Sequence, residues 1–347
     1  MGLPLHQALP FEVFARITHW RVTDPDRPLR CAAARRRRTS FTDRHGSDDG
    51  RVMILAADHP ARGSTEIGGD PLKMANRRDL LARLMCLLAA DAADGVLATL
   101  DVIEDLLVLH EWLGRSGGPR FLDEKLLIAS LNRGGLQGSA WEMDDPWTGP
   151  DADTCARWNL DGAKLLLRVA QDDPGSLRTL EMCAEAVRAF QPLGCPLFLE
   201  PLPMVRGDSG LVVQREATAL AQLVGVASAL GNSSRNLWLK LPACDDFAAV
   251  AAATTLPIVI LGGVVSENQH SFLQEIATAL AAGSNVRGLM IGRNVLYPCG
   301  DDPFGLAIAI GGLVHHRRDV DRAAQAASEQ TTERASGTDW QWRFDVG

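Results

Sequence analysis

The chain has 347 residues, 46% of them hydrophobic, and a net charge of −8. That length suits one large barrel or two ordinary domains, and the acidic balance speaks against a general nucleic-acid-binding surface. An anionic substrate therefore needs a local positive site. No apolar run approaches the roughly 18 residues of a membrane span. The start, Met1-Gly2-Leu3-Pro4-Leu5-His6, lacks the basic-then-apolar pattern of a secretory signal. Seven scattered cysteines without a Cys-x-x-Cys pair fit reduced thiols in a cytoplasmic protein rather than a disulfide framework or zinc ribbon.

Residues 1–50 are irregular in composition and read as an N-terminal extension. Phe11, Phe14, Ala15 and Ile17 predict a short helix up to Trp20. The run Arg35-Arg36-Arg37-Arg38 has two readings, an anion or nucleic-acid patch and a solvated or mobile segment; the second is the expectation. Thr39 to Gly50 reads as a loop.

From Arg51 the texture changes. Val52-Met53-Ile54-Leu55-Ala56-Ala57 is continuously apolar, as in a parallel strand covered on both faces. A helix is predicted over Leu72 to Ala93, a strand over Gly95–Leu100 and a helix over Val102 to Leu113. Lys125–Leu131 is the third strand, followed by Asn132-Arg133-Gly134-Gly135 and a loop with Trp141, Asp144, Asp145 and Trp147. Its helical partner is the poorest. Ala163–Val169 and Pro196–Pro201 are strands, with helices at Ser176–Phe190 and Val212–Leu230. Arg235 to Pro242 is a sixth strand, and Asp245 is expected to cap a helix to Ala253. Pro257–Leu261 leads to Gly262-Gly263, and Ser266 is expected to cap a helix to about Ala282. Val286–Ile291 leads to Gly292-Arg293-Asn294, a last helix covers Phe304 to Val314, and the tail from residue 316 is polar, with Trp340-Gln341-Trp342 either docked or free.

Eight strands alternating with helices predict an α/β fold, a (βα)8 TIM barrel over residues 51–315. The competing open, doubly wound sheet would want a glycine-rich turn after the first strand. Asp58-His59-Pro60-Ala61-Arg62-Gly63 is not one.

In a barrel, functional groups project from the carboxyl ends of the strands. Those ends carry Asp58 and His59, Thr99 and Asp101, Asn132 and Arg133, Lys164, Glu200, Lys240, Gly262-Gly263 and Gly292-Arg293. Lys240 lies in the apolar run Leu237-Trp238-Leu239-Lys240-Leu241. It is either an edge-strand charge in solvent or a Schiff-base nucleophile activated by desolvation or a second cation. Each of the others has a structural alternative: Asp58 a turn residue, Lys164 partly exposed, Glu200 loop-facing, the glycines tight connections. The turns after the seventh and eighth strands are also where barrels bind phosphate. Only His59 and His110 lie near strands, and no clustered His/Cys spacing appears, so a zinc site is disfavoured and no metal or other cofactor is expected.

The residues resemble a known superfamily. Asp58-His59 is similar to the Asp-His-Gly signature of class I (Schiff-base) aldolases of the deoxyribose-phosphate, archaeal-type fructose-bisphosphate and tagatose-1,6-bisphosphate type. Ala163-Lys164-Leu165-Leu166, Leu199-Glu200-Pro201 and Leu239-Lys240 resemble the Lys, Glu and Schiff-base Lys segments of the tagatose-bisphosphate enzyme. Gly262-Gly263 and Gly292-Arg293 resemble its phosphate turns. Asn132-Arg133-Gly134-Gly135 and Asp144-Asp145 suggest an actinobacterial branch of aldolase-like barrels. Two departures stand out: Pro60 follows His59 where many relatives have Gly, and Tyr297, the sole tyrosine, lies beyond the eighth strand, so the tyrosine acid/base of the archaeal-type enzymes has no counterpart.

The resemblance implies a carbon–carbon lyase acting on a phosphorylated ketose or keto-sugar acid, one candidate being 6-phospho-5-dehydro-2-deoxy-gluconate of inositol catabolism. Lys240 would form the iminium. Lys164 would lower its pKa by repulsion and orient the carbinolamine oxygen. Asp58 and Glu200 would move protons. Gly262, Gly263, Gly292 and Arg293 would hold phosphate, with Arg133, Asn132 and His59 as further substrate contacts. A homo-oligomer without nucleic-acid or membrane partners is expected. Two alternatives stay open: a non-catalytic phosphometabolite-binding sensor or scaffold, favoured by the arginine run and the tail, and a Schiff-base dehydratase.

Overall fold

Apolar strands without alternation need cover on both faces, and a closed ring of parallel strands sheathed in helices provides it. The computed structural model describes residues 8–44, 46–91, 93–207, 210–263, 265–300 and 302–337, with Trp342, Phe344 and Asp345. Met1–His6, Trp340 and Gln341 lie outside the described residues. The strands are β1 (Val52–Ala56), β2 (Gly95–Ala98), β3 (Leu126–Ser130), β4 (Gly162–Val169), β5 (Leu197–Gly207), β6 (Leu237–Pro242), β7 (Ile258–Leu261) and β8 (Val286–Ile291). Each pairs in parallel with its sequence neighbours. β8 pairs with β1 and β4 with β5, so the ring is closed and the chain is a (βα)8 barrel. At Gly288, φ is +130° and any side-chain carbon would stand 1.9 Å from the Val52 carbonyl oxygen. Only glycine fits where β8 meets β1.

The strands bury two faces. Inward, Val52, Ile54, Leu97, Ile128, Phe198, Val259 and Met290 fill the ring. Outward, residues such as Met53, Leu55, Val96 and Leu127 join the helices in one large core. The floor of the ring is aromatic: Phe41, Phe198 and Trp238 lie with centroids 5.5–5.9 Å apart. Phe41 comes from the N-terminal segment, which therefore plugs the barrel.

That segment is more ordered than its composition suggests. Helices span Phe11–Thr23 and Arg27–Ala34, the first as expected and the second not. The arginine run is not a solvated segment, which corrects the expectation. Arg36 and Arg37 remain exposed, but Arg37 and the buried Arg35 reach Asp161 at 2.9 and 2.8 Å, and Arg38 reaches Asp94 at 2.8 Å. Asp94 is fully buried just before β2; it also accepts from the Met53 N–H (2.6 Å) and from His315 Nε2 (2.9 Å). Asp161, just before β4, accepts from the Leu127 N–H (2.9 Å). The run neutralises carboxylates that close the amino end of the barrel, the pairing that buried charges require.

Element boundaries shift elsewhere. β5 runs on to Gly207 and folds back as an antiparallel strand, Gly210–Val213, so the following helix is Ala217–Ser228. The helix after β6 starts at Phe247 with Asp246, in a left-handed conformation, at its N-cap, in place of Asp245. The helix after β7 is Gln269–Ala281, capped by Asn268, which accepts from the Ser271 N–H; Ser266 stands before the cap. The expected helix over 72–93 is Arg77–Ala89. The polar tail contains a helix, Val320–Gly337, docked through Val320, Ala323 and Ala327. Phe344 packs on Trp112, 4.9 Å between centroids, and Trp342 is packed against the core. Among the described residues no helix is long and apolar enough to cross a membrane.

Candidate active site

The carboxyl ends of the strands open into a cavity of about 880 Å³. Its wall includes Asp58, His59, Arg133, Lys164, Glu200, Lys240, Gly262, Gly263, Gly292 and Arg293. Side-chain alternation and register explain how they meet. Lys164 of β4 lies beside Phe198 of β5, and Phe198 beside Trp238 of β6; one layer higher, Leu166 lies beside Glu200, and Lys240 follows Leu239, the partner of Leu199. Lys240 and Glu200 thus share a layer, and Lys164 sits one layer deeper. Lys164 is 1% exposed and Lys240 5%. Neither is an edge-strand charge.

The two amines share one carboxylate. Glu200 Oε2 receives Lys240 Nζ at 3.1 Å and also ion-pairs with Lys164 Nζ. Lys164 Nζ lies 3.7 Å from Asp58 Oδ2. Asp58, buried after β1, ion-pairs with Arg133 and accepts from Ser130 Oγ at 2.9 Å; Ser130 Oγ in turn accepts from Arg133 Nε at 2.9 Å. Ser130, the last residue of β3, is a member of the network that the sequence did not mark.

Burial raises a carboxyl pKa, yet Glu200 is held well below its ordinary range because Lys164 and Lys240 outweigh desolvation. Lys164 is pushed well below the usual lysine value, by burial first and then by Arg133. Lys240 is lowered too, by burial against the pull of Glu200, with Arg133 and Arg62 the main repelling cations. Burial is the largest cause at both amines, and the charge of Lys240 bears on Lys164 as well. One carboxylate balances one ammonium. With Asp58 the network holds two carboxylates for three cations, Lys164, Lys240 and Arg133, an excess that disfavours charge on both lysines at once. Burial and the neighbouring Arg293 likewise hold His59 well below the ordinary histidine value, and its Nδ1 is buried without a hydrogen-bond partner. Arg133 itself is pushed down to about 10 by burial.

The glycine turns are close approaches. A side-chain carbon at Gly262 would meet Ile291 at 2.4 Å; at Gly292 it would meet the Ala56 carbonyl oxygen at 2.4 Å and His59 at 2.5 Å. Gly263 has φ +66°, the left-handed region. Asn294 ties the two turns together: its Nδ2 donates to the Gly262 carbonyl (2.7 Å) and its Oδ1 accepts from the Ser266 N–H (2.8 Å). The Arg293 Nε is buried and unpartnered.

Asn132 is the expected site residue that does not reach the mouth. It is fully buried, and its amide pairs with both backbone groups of Leu166 at 2.7 Å, fastening β3 to β4. Four cavity arginines went unmarked by the sequence: Arg62, Arg168, Arg206 and Arg215. Arg168 is held by Glu142 and Asp145, and Arg206 by Asp173 at 3.1 Å. Eight of the lining side chains are Lys or Arg and three are Asp or Glu, a local excess of positive charge in an acidic protein.

Comparisons with known proteins agree with this architecture. The crystal structure of Cgl0159 from Corynebacterium glutamicum is 34% identical, superposes with a TM-score of 0.81, and the match covers 89% of this chain and 99% of that one. An archaeal fructose 1,6-bisphosphate aldolase shares the fold at 22% identity and a TM-score of 0.58, covering 77% and 94% of the two chains. The 2-amino-4,5-dihydroxy-6-oxo-7-(phosphonooxy)heptanoate synthase of Streptomyces griseus is 25% identical over 276 residues, 78% of this chain and 88% of its own. The sequence model of the Cgl0159-like family matches residues 50–310, so the chain, a (βα)8 barrel, belongs to that family.

Proposed function

We propose that the protein is a class I aldolase, a carbon–carbon lyase that cleaves or forms a bond in a phosphorylated ketose or keto-sugar acid through a Schiff base on Lys240. The observation that carries this is the pair of buried lysines on one buried glutamate at the open end of the barrel. A neutral amine is a nucleophile; an ammonium is not. Lys240 shares its layer with Glu200 and lies above Lys164, so it is the amine a substrate entering the mouth meets first.

Lys240 passes its proton to Glu200, to which it is hydrogen-bonded, and its freed Nζ adds to the ketone carbon. Glu200 and Lys164 move the proton that turns the carbinolamine oxygen into leaving water, and an iminium forms. Asp58 takes the proton of the hydroxyl on the carbon being released. The C–C bonding pair then flows into the iminium as an enamine, and an aldehyde departs. Protonation of the enamine carbon and hydrolysis return the free lysine. Gly262, Gly263, Gly292 and Arg293 hold the phosphate, and Arg133, with Ser130, keeps Asp58 in place. The excess of cations at the mouth supports an anionic substrate, and the Streptomyces relative is itself named for a phosphonooxy product.

The sensor alternative drew on the arginine run, but Arg35, Arg37 and Arg38 are spent on Asp161 and Asp94. The test is turnover: a panel of ketose phosphates and keto-acid phosphates, including 6-phospho-5-dehydro-2-deoxy-gluconate, is scored for release of a triose phosphate or aldehyde. Cleavage of at least one member, abolished in Lys240→Ala, is expected. Binding without cleavage across the panel removes the aldolase reading.

A further inference from the structure

Arg62 takes no part in the chemistry above, although its surroundings give it one. It ends the short 3-10 turn His59–Arg62 after β1 and lines the cavity. Glu142 holds one edge of its guanidinium, Nη2 to Oε1 at 3.2 Å, and its backbone carbonyl accepts from the Gln137 N–H at 3.0 Å. Its Nε is buried without a partner. So are the Nε atoms of Arg168 and Arg293 and the Nδ1 of His59, which line the same cavity. Buried donors without partners are uncommon and call for an explanation. Arg62, Arg293 and Lys240 line the same cavity, and Arg62 repels both of the others. Glu142 occupies one edge of Arg62 only, so the open Nε donors of Arg62 and Arg293 favour an anion in the cavity they line.

We propose that Arg62 is a second cationic arm of the anion subsite, gripping the ligand's phosphate together with Arg293 while Glu142 fixes its far edge. This rests on the aldolase reading for what the ligand is, but not for the presence of the anion site. The geometry assigns Arg62 to binding and positioning. The unpartnered Nε–H adds a charge-assisted contact that the glycine turns cannot supply. Arg62 also contributes to keeping Lys240 unprotonated, so its loss moves two separate readouts.

The experiment measures inorganic phosphate affinity by titration calorimetry for the full chain and for R62A, R62K and R293A, with melting curves to show that each variant is folded. Affinity is expected to fall about tenfold in R62A and in R293A and to stay within about threefold in R62K. In parallel, the pH at which Lys240 becomes trappable by an aldehyde and borohydride is expected to rise in R62A, because a repelling cation is gone, and to return in R62K. Wild-type phosphate affinity in R62A beside a loss in R293A overturns the proposal and leaves the aldolase reading standing. Phosphate loss in R62A with no lysine ever trapped supports the anion site and overturns the aldolase reading instead.

Discussion

The two ends of the barrel use buried charge in opposite ways. At the amino end Asp94 meets Arg38, Arg44, His315 and a backbone N–H, and Asp161 meets Arg35, Arg37 and another backbone N–H. Every carboxylate there has several donors, and Phe41 seals the floor behind them. At the carboxyl end one glutamate serves two lysines, four ring or guanidinium nitrogens of cavity-lining residues have no partner, and the space between them is open. Arg35 Nε and Arg38 Nη1 lack partners at the closed end too, so the ends differ in how their carboxylates are shared and in the open space beside them, not in whether every donor is satisfied. The same residue types do both jobs.

Substitutions at the two ends should therefore separate activity from stability. Lys240→Met is expected to lower turnover by at least about a thousandfold while the melting temperature stays at or above that of wild type, because one of two amines competing for Glu200 is gone. A Lys240→Met protein that melts well below wild type would break the comparison. Glu200→Gln should cost about 10²–10⁴ in turnover, the usual range for a lost proton-transfer group. It should also move the pH at which Lys240 reacts downward, since Glu200 is what raises that pKa.

Asp94→Asn is the counterpart at the closed end. It leaves Arg38, Arg44 and His315 without their buried carboxylate and is expected to cost about 3–5 kcal/mol in urea unfolding, with turnover per folded molecule unchanged. Asn132→Ala should cost less, about 1–3 kcal/mol for the unpaired Leu166 backbone, and should leave substrate affinity alone because its amide faces β4.

The two ends also respond to pH with opposite sign. His315 is raised above its ordinary value by Asp94 and Asp49 despite burial. Its stabilisation is complete below the unfolded value of about 6.5 and is lost as pH rises through the folded value. Lys164 and Lys240 are lowered, so the unfolded chain binds more protons. Their cost is full below the folded values and is relieved as pH rises toward the unfolded value of about 10.4. Removing His315 should flatten the loss above pH 6.5, and replacing the lysines should flatten the gain at alkaline pH; denaturant midpoints across pH read both.

Much of the carboxyl end was legible. Asp58, Lys164, Glu200 and Lys240 each break an apolar run at a strand or strand end, and alternation of strand and helix says which end faces the mouth. Asn132 breaks a run in the same way, but a polar residue there looks identical whether it faces the cavity or a neighbouring backbone. The amino end was opaque. Arg38 and Arg35 find carboxylates 56 and 126 residues away, and four consecutive arginines carry no trace of those partners. The docked tail helix did leave a signal, apolar Val320, Ala323 and Ala327 at helical spacing, muted because alanine is a weak hydrophobic marker. Arg62 was hidden in a turn read only for what it lacked in glycine.

The central claim is that Lys240, and not the more deeply set Lys164, is the amine that condenses with a carbonyl. Borohydride reduction of the protein with dihydroxyacetone phosphate, followed by peptide mass mapping, tests it most directly. A single reduced adduct is expected on the peptide carrying Lys240, absent from Lys240→Met. An adduct on Lys164, or none on either lysine, contradicts it.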